Sequence, residues 1–355
     1  MSFRVETGLL NPDTAQYAGK GQAKPTIADI AAAARTTEAL GFDGVCAPEA
    51  GHDPFLPLTI AAEHTTRLQL GTNVAIAFPR SPMVTAQLAW DLQQLSGGRF
   101  NLGLGTQVKG HNERRYSTPW IAGPGPRLRE YLQVLRAIFD GFTTGKVAPF
   151  EGQHYKFSLL PPFFSPGPID YPAPPIYIAA VNTYMAKLGG ELCDGLRLHP
   201  IGTFAYTKAV VLPAIAAGAA KAGRTLADIN MIGAPFLAVG ANEAEVEKAK
   251  TALKQHVAFY ASTRTYHTVL AHHGWEEIGT QLHQLSREGK WQELPKLVTD
   301  DMLAEWAIIA TYDQLAAEVR KRCDGIYSTV LLDLPGALAR DEDRVRGIVQ
   351  DLHED

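Results

Sequence analysis

The sequence predicts an α/β fold closed as a (β/α)8 barrel, and three observations predict it. Short apolar runs alternate with amphipathic stretches of helical period along the chain, the pattern of a parallel sheet whose strands are joined by helices. An Asp-Gly pair recurs where a helical stretch gives way to an apolar run, at Asp43-Gly44-Val45, Asp194-Gly195-Leu196 and Asp324-Gly325-Ile326. Glycine relieves the backbone at such a turn, and aspartate can bond its own backbone there. The runs that follow are too short for helices and are apolar on both sides of their alternation, as strands buried on both faces are. Eight strand–helix units favour a closed TIM barrel over an open doubly wound sheet.

The first strand is expected at Phe3–Thr7 and its helix at Ile27–Leu40. Ile27, Ile30, Ala31, Ala34 and Leu40 keep a helical period there, and Thr26 suits the N-cap. Strand two is Gly44–Ala47, with a helix near Pro57–Thr66. Strand three is Leu68–Ala77, with a helix from Met83 to Leu95. Strand four is Arg99–Gly105, with a helix from Arg127 to Phe139. Strand five is Pro175–Ala180, and its helix begins near Thr183. Strand six is Gly195–His199, followed by Phe204–Ala222. Strand seven lies near Ile229–Val239, followed by a helix from Glu243 to about Tyr260. The last helix is Tyr312–Arg322 and strand eight is Ile326–Leu332. Two stretches break the alternation and read as insertions. The first, at about 141–175, holds eight of the 23 prolines. The second, at about 261–305, carries Trp275, Trp291 and a cluster of histidines. A segment this long reads as a lid over the C-terminal mouth of the barrel. With no Gly/Ser linker or charge run, the chain reads as one domain, 1–355.

Composition narrows the function. Of 355 residues, 46% are hydrophobic and 20% charged, with a formal charge of −4. A nucleic-acid or anionic-membrane binder would carry a basic excess. No run reaches the roughly 18 apolar residues of a membrane span, and Arg4 and Glu6 stand where a signal peptide needs apolar residues. The expected location is therefore cytoplasmic. Cys46, Cys193 and Cys323 form no Cys-x-x-Cys pair and read as small core hydrophobes. His256, His267, His272, His273 and His283 match no standard ligand spacing, so no metal site is expected.

Catalytic residues of such barrels come from the C-terminal ends of the strands. Glu49 and His52 follow strand two in a loop bounded by Pro48 and Pro54, and His111 follows strand four. These three are the candidate acid–base residues, with loop stabilisation as the alternative role. Thr106 and Gln107 offer neutral polar groups directly after strand four. They suit a polar uncharged ring system or a phosphate rather than proton transfer. Asn73 follows strand three, Ala179-Ala180-Val181-Asn182-Thr183 follows strand five, and His199-Pro200 follows strand six. Gly103-x-Gly105 lacks the third glycine and the acidic residue of a dinucleotide fingerprint. There is no Gly-x-Ser-x-Gly elbow. A barrel hydrolase or aldolase would need a Schiff-base lysine or a metal triad at strand ends, and neither is found.

The tract Leu95-Ser96-Gly97-Gly98-Arg99-Phe100-x-Leu102-Gly103-Leu104-Gly105 resembles the strand-four signature of the bacterial luciferase-like monooxygenases. That superfamily includes flavin monooxygenases and oxidoreductases of the deazaflavin coenzyme F420. Leu70-Gly71-Thr72-Asn73-Val74 with Pro79-x-x-Pro82 is similar to its strand three. Pro174-Pro175-Ile176-Tyr177-Ile178-Ala179-Ala180 is similar to its strand five. The tracts Ala77–Pro82 and Gly105–Val108 look more like the F420-dependent branch. The resemblance implies a cis peptide at Asn73–Val74, a bulge facing the cofactor ring, with Thr106 and Gln107 flanking that ring. It also implies a cofactor phosphate held by the amides of Ala180, Val181, Asn182 and Thr183, next to Ala179, where a helix start favours an anion. One departure stands out. Val108 occupies the position of the catalytic Glu of the sugar-phosphate dehydrogenases in this branch. The implied function is hydride transfer between F420 and a small organic substrate. An FMN-dependent monooxygenase and a non-catalytic flavin carrier or sensor are the alternatives. The implied assembly is a homo-oligomer, as a dimer.

Overall fold

The computed structural model describes residues 2–9 and 26–354. Eight strands form the barrel: β1 Arg4–Gly8, β2 Gly44–Ala47, β3 Gln69–Thr72, β4 Phe100–Gly105, β5 Ile176–Ala180, β6 Gly195–Leu198, β7 Asn230–Gly233 and β8 Thr329–Leu331. Each pairs in parallel with its neighbour in sequence order. β8 returns to β1, with Val330 opposite Val5, so the sheet closes. The strands are buried on both faces, one carrying Val5, Val45, Leu70, Leu102, Ile178 and Leu196 and the other Glu6, Cys46, Asn101 and Arg197. This is the (β/α)8 barrel that the alternation predicts.

The helices start where local chemistry dictates. The Thr26 amide and hydroxyl both donate to the Asp29 carboxylate, at 2.7 and 2.9 Å, opening a 3-10 turn before helix Ile30–Ala39. Ser81 accepts the Val84 amide at 3.2 Å, and Pro82 fills the first position of helix Pro82–Leu95, where a missing N–H costs nothing. Asn182 caps helix Thr183–Leu192 by accepting the Met185 amide at 2.9 Å.

The Asp-Gly turns work differently from a self-bonding turn. Asp43 accepts the amide of Val5, and Asp194 accepts the amide of Ile176, so each fastens the start of the preceding strand. Gly325 alone among the three glycines has a left-handed φ, of 69°. At Gly195 the demand is space: a Cβ would stand 2.6 Å from the Asn230 carbonyl oxygen. Arg99 of the strand-four tract is likewise a fastener, donating to the carbonyls of Ser96, Leu68, Ala62 and Thr65. The three cysteines are buried, as core hydrophobes are, and burial pushes the Cys193 and Cys323 thiols up to about 12.

Three elements depart from the sequence reading. Strand three is interrupted at residues 73–74, and its continuation, Ala75–Ile76, pairs with β4. The expected strand seven is two strands. β7 lies in the barrel, while Phe236–Gly240 leaves it to pair in parallel with Ala307–Thr311 in a separate two-stranded sheet. Pro235, which has no amide for a ladder, sits at the break. The helix expected over Phe204–Ala222 contains a π-turn at Thr207–Val211 before Leu212–Lys221, and Pro213 stands in the first turn of the latter.

The second insertion forms helices His267–His272, Glu276–Arg287 and Asp300–Trp306. They share a small core of their own with helix Glu243–Ala261, built on Val257, Leu270, Leu282, Met302 and Trp306. The Trp306 indole N–H donates to the Ile201 carbonyl at 2.7 Å, tying this layer to the loop after β6. In the first insertion, helix Pro124–Thr144 runs on past residue 141, and a short hairpin pairs Phe150–Glu151 with Lys156–Phe157. Inside the barrel, Arg197 and Glu6 are both buried and pair at 3.0 Å, and Arg197 also donates to Asn101 at 2.9 Å. Among the described residues no helix is long and apolar enough to cross a membrane.

Candidate active site

At the C-terminal ends of the strands lies a cavity of about 380 Å³. Asn73, Val74, Thr106, Gln107, Ala179, Ala180, Val181 and Asn182 all line it, together with Glu49, His199, Tyr260 and Tyr266. Thr183, exposed, is the first residue of its helix and lies outside the lining. A second cavity of about 290 Å³ adjoins, sharing Asn73, Val74, Ala179, His199 and Tyr260 as its wall. It reaches Gly8, Cys46, Arg197 and Asp333.

The peptide Asn73–Val74 is cis. Val74 packs against β4, where only glycine fits: a Cβ on Gly105 would stand 2.5 Å from Val74 Cγ2. Gly105→Ala is therefore expected to destabilise the fold by about 1–3 kcal/mol through overpacking. Urea denaturation measures this, and adding Val74→Ala should restore most of the loss. Next along the chain, Gln107 has a left-handed φ of 56°, rare for a side chain of this size. Its carboxamide oxygen accepts the Val108 amide at 2.9 Å, and buried Asn112 donates to the Thr106 carbonyl at 2.9 Å. These bonds fix the turn that carries Thr106 and Gln107 to the rim.

The other end of the cavity is the start of helix Thr183–Leu192. Its first-turn amides have no carbonyl to bond within the helix, and the aligned peptide dipoles add positive potential there. Among the described residues lining the cavity there is no Lys or Arg. An anion docked here is held by backbone amides.

Of the acid–base candidates, Glu49 alone lines the cavity. Its carboxylate accepts the Ile76 amide at 2.7 Å and Arg80 Nη1 at 2.6 Å, while Arg80 Nη2 reaches Asp53 at 2.8 Å. Burial opposes the charge of Arg80, but the two carboxylates outweigh it and hold its pKa above the ordinary value. His52 and His111 are exposed and outside the lining. Trp275 stacks on His273 at 4.2 Å and packs on Trp306, and Trp291 packs on Phe259, so both belong to the insertion layer. Phe55 packs on Phe100 and Trp120 on Phe78, while Phe163 is exposed; none lines the cavity.

His199, marked in the sequence only by its place after strand six, also lines the cavity. Its ring stacks on Tyr266 at 5.1 Å and meets Tyr260 edge-on at 4.8 Å. Nδ1 accepts the Ile201 amide at 3.1 Å, which leaves the proton of the neutral ring on Nε2. Burial, with His256 nearby, holds its pKa down at about 4. At neutral pH the ring is an uncharged hydrogen-bond donor. Tyr260 comes from helix Glu243–Ala261 and Tyr266 from the turn at the start of the second insertion, and neither carried a site signal in the sequence.

Comparison with known proteins agrees with this architecture. The family model described as luciferase-like monooxygenase matches residues 8–327. An uncharacterized protein of Mycobacterium tuberculosis is 42% identical, over 92% of this chain and 95% of that one. The 5,10-methylenetetrahydromethanopterin reductase of Archaeoglobus fulgidus is 30% identical, over 74% of this chain and 76% of the reductase. The coenzyme F420-dependent tetrahydromethanopterin reductase of Methanopyrus kandleri superposes with a TM-score of 0.73 at 22% identity, covering 99% and 98% of the two chains. The closed barrel, the matched span and the reductase relative lead to one conclusion: the chain belongs to the luciferase-like monooxygenase family, in the branch that holds the F420-dependent reductases.

Proposed function

We propose that this protein is an F420-dependent oxidoreductase acting on a small organic substrate. The observation that carries the reading is the gathering of Asn73, Val74, Thr106, Gln107 and Ala179 to Asn182 around one cavity, with a cation-free helix start at its end. F420, when bound, supplies a hydride-transferring ring. The chain does the rest. The segment Asn73–Val74 would hold the ring, and Thr106 and Gln107 would supply polar groups beside it. The amides of Ala180, Val181 and Asn182 would hold its phosphate. Tyr260 and Tyr266 exclude water above it.

His199 holds a proton on Nε2 and offers it as a hydrogen bond to the polar group of the substrate. Glu49, bound to Arg80, keeps the loop after β2 in place beside the ring. The sugar-phosphate class fits poorly, because Val108 offers no acid after β4.

The test is a pair of titrations of purified protein followed by fluorescence. F420 is expected to bind at least about 100-fold more tightly than FMN, a difference worth about 2.7 kcal/mol. Tighter binding of FMN, with oxygen-dependent turnover, would overturn the assignment in favour of a flavin monooxygenase.

A further inference from the structure

A third chamber, of about 360 Å³, opens beside the two cavities already described. It lies between strand Phe236–Gly240, helix Glu243–Ala261 and the segment after β8 that carries Pro335 and Gly336. Pro200, Ala234, Leu331 and Asp333 form a wall common to this chamber and the second cavity, which in turn shares His199 with the ring site. The three spaces therefore run in series across the barrel mouth, with His199 at the junction of the first two.

The lining has a consistent chemistry. Among the described lining residues, all but Lys248, His256 and Asp333 are apolar or glycine. Asp333 and His256 have contacts of their own, and Lys248 is exposed. Asp333 already accepts the Gly8 amide at 3.1 Å. The His256 ring packs on Phe236 at 5.4 Å and on Tyr260 at 4.9 Å. A phosphorylated or polyhydroxylated ligand would meet no array of donors here, and an anion would face Asp333 at the shared wall. An uncharged hydrocarbon body meets the surface it needs, and the volume falls within the range of small-molecule sites.

We propose that this chamber takes the uncharged apolar body of the substrate and directs its polar group past Asp333 and Ala234 to His199. The inference rests on the oxidoreductase reading for the word substrate, while the chamber's preference for neutral apolar ligands can be measured without it. It makes the substrate an amphipathic compound, one hydrogen-bond-accepting group on a hydrocarbon frame. Specificity for that frame lies in the helix Glu243–Ala261 and the strand Phe236–Gly240, apart from the residues that cradle the ring.

The test uses the full chain and the neutral fluorophore 6-propionyl-2-(dimethylamino)naphthalene, whose emission shifts to the blue in an apolar site. Saturable binding is expected, and Ala249→Trp, which fills the chamber from the helix, should weaken it at least tenfold. Ala252→Trp, on an exposed position of the same helix, is the second variant and should act in the same direction. F420 affinity of both variants should stay within twofold of the parent, and saturating F420 should leave the fluorophore bound. No saturable binding, equal binding by parent and both variants, or displacement of the fluorophore by F420 would overturn the proposal. Failure of F420 to bind the parent is a separate result. It would remove the oxidoreductase reading, and the fluorophore titrations would still decide whether the chamber takes neutral apolar ligands.

Discussion

Replacing His199 with phenylalanine is expected to lower turnover by about 10²–10³-fold while cofactor affinity changes little, the size of effect seen when one preorganised donor at a reacting group is removed. Phenylalanine keeps the stack on Tyr266 and removes both ring nitrogens. Two further variants separate donor from scaffold. Asparagine can still accept the Ile201 amide in place of Nδ1 but is too short to replace Nε2. Glutamine can place an N–H where Nε2 stands. His199→Asn should therefore be as slow as His199→Phe, and His199→Gln should recover at least tenfold. Equal rates for all three would show that the ring only fills space. Because burial holds this ring neutral down to about pH 4, its titration should be absent from the rate profile between pH 5.5 and 8.

The same displacement has a consequence for stability. The unfolded chain binds a proton at this ring near pH 6.5, and the native ring refuses it until about pH 4. The stability gained is complete above pH 6.5 and is lost as the pH falls towards 4, on the order of 3 kcal/mol. Denaturation curves between pH 7 and 4.5 should be flatter for His199→Gln than for the parent chain.

The second large effect lies below the site. Glu6→Ala is expected to cost about 3–5 kcal/mol of unfolding free energy, because it leaves the Arg197 guanidinium charged and buried without its carboxylate. Burial opposes the charge of Arg197, and Glu6 more than offsets this, raising its pKa. The double variant Glu6→Gln, Arg197→Met removes both charges at similar volume and should recover most of the loss. Guanidinium denaturation of Glu6→Gln, Arg197→Met and the double variant measures the coupling. A double variant no more stable than Glu6→Ala would place the role of the pair elsewhere.

The parts of the molecule written in local pattern were legible in the sequence. The strand–helix alternation and the Asp-Gly turns mark the barrel because each is a property of a few consecutive residues. The positions that the family resemblance assigns to a ring and a phosphate, all but Thr183, fall around one cavity. What escaped depends on partners far away in the chain. Ala307–Thr311 directly follows helix Asp300–Trp306 and becomes a strand only because Phe236–Gly240 offers it an edge. Glu49 reads as an acid until Arg80, 31 residues on, is seen to hold it. His199 gains its character from Tyr260 and Tyr266, and nothing around it in sequence specifies that helix Glu243–Ala261 and the turn after it bring them there.

The parallel pairing of Phe236–Gly240 with Ala307–Thr311 closes like a buckle around residues 241–306. Entry and exit of that span are clamped side by side, so its helices can lengthen, shrink or be exchanged wholesale while the register of the eight-stranded cylinder stays put.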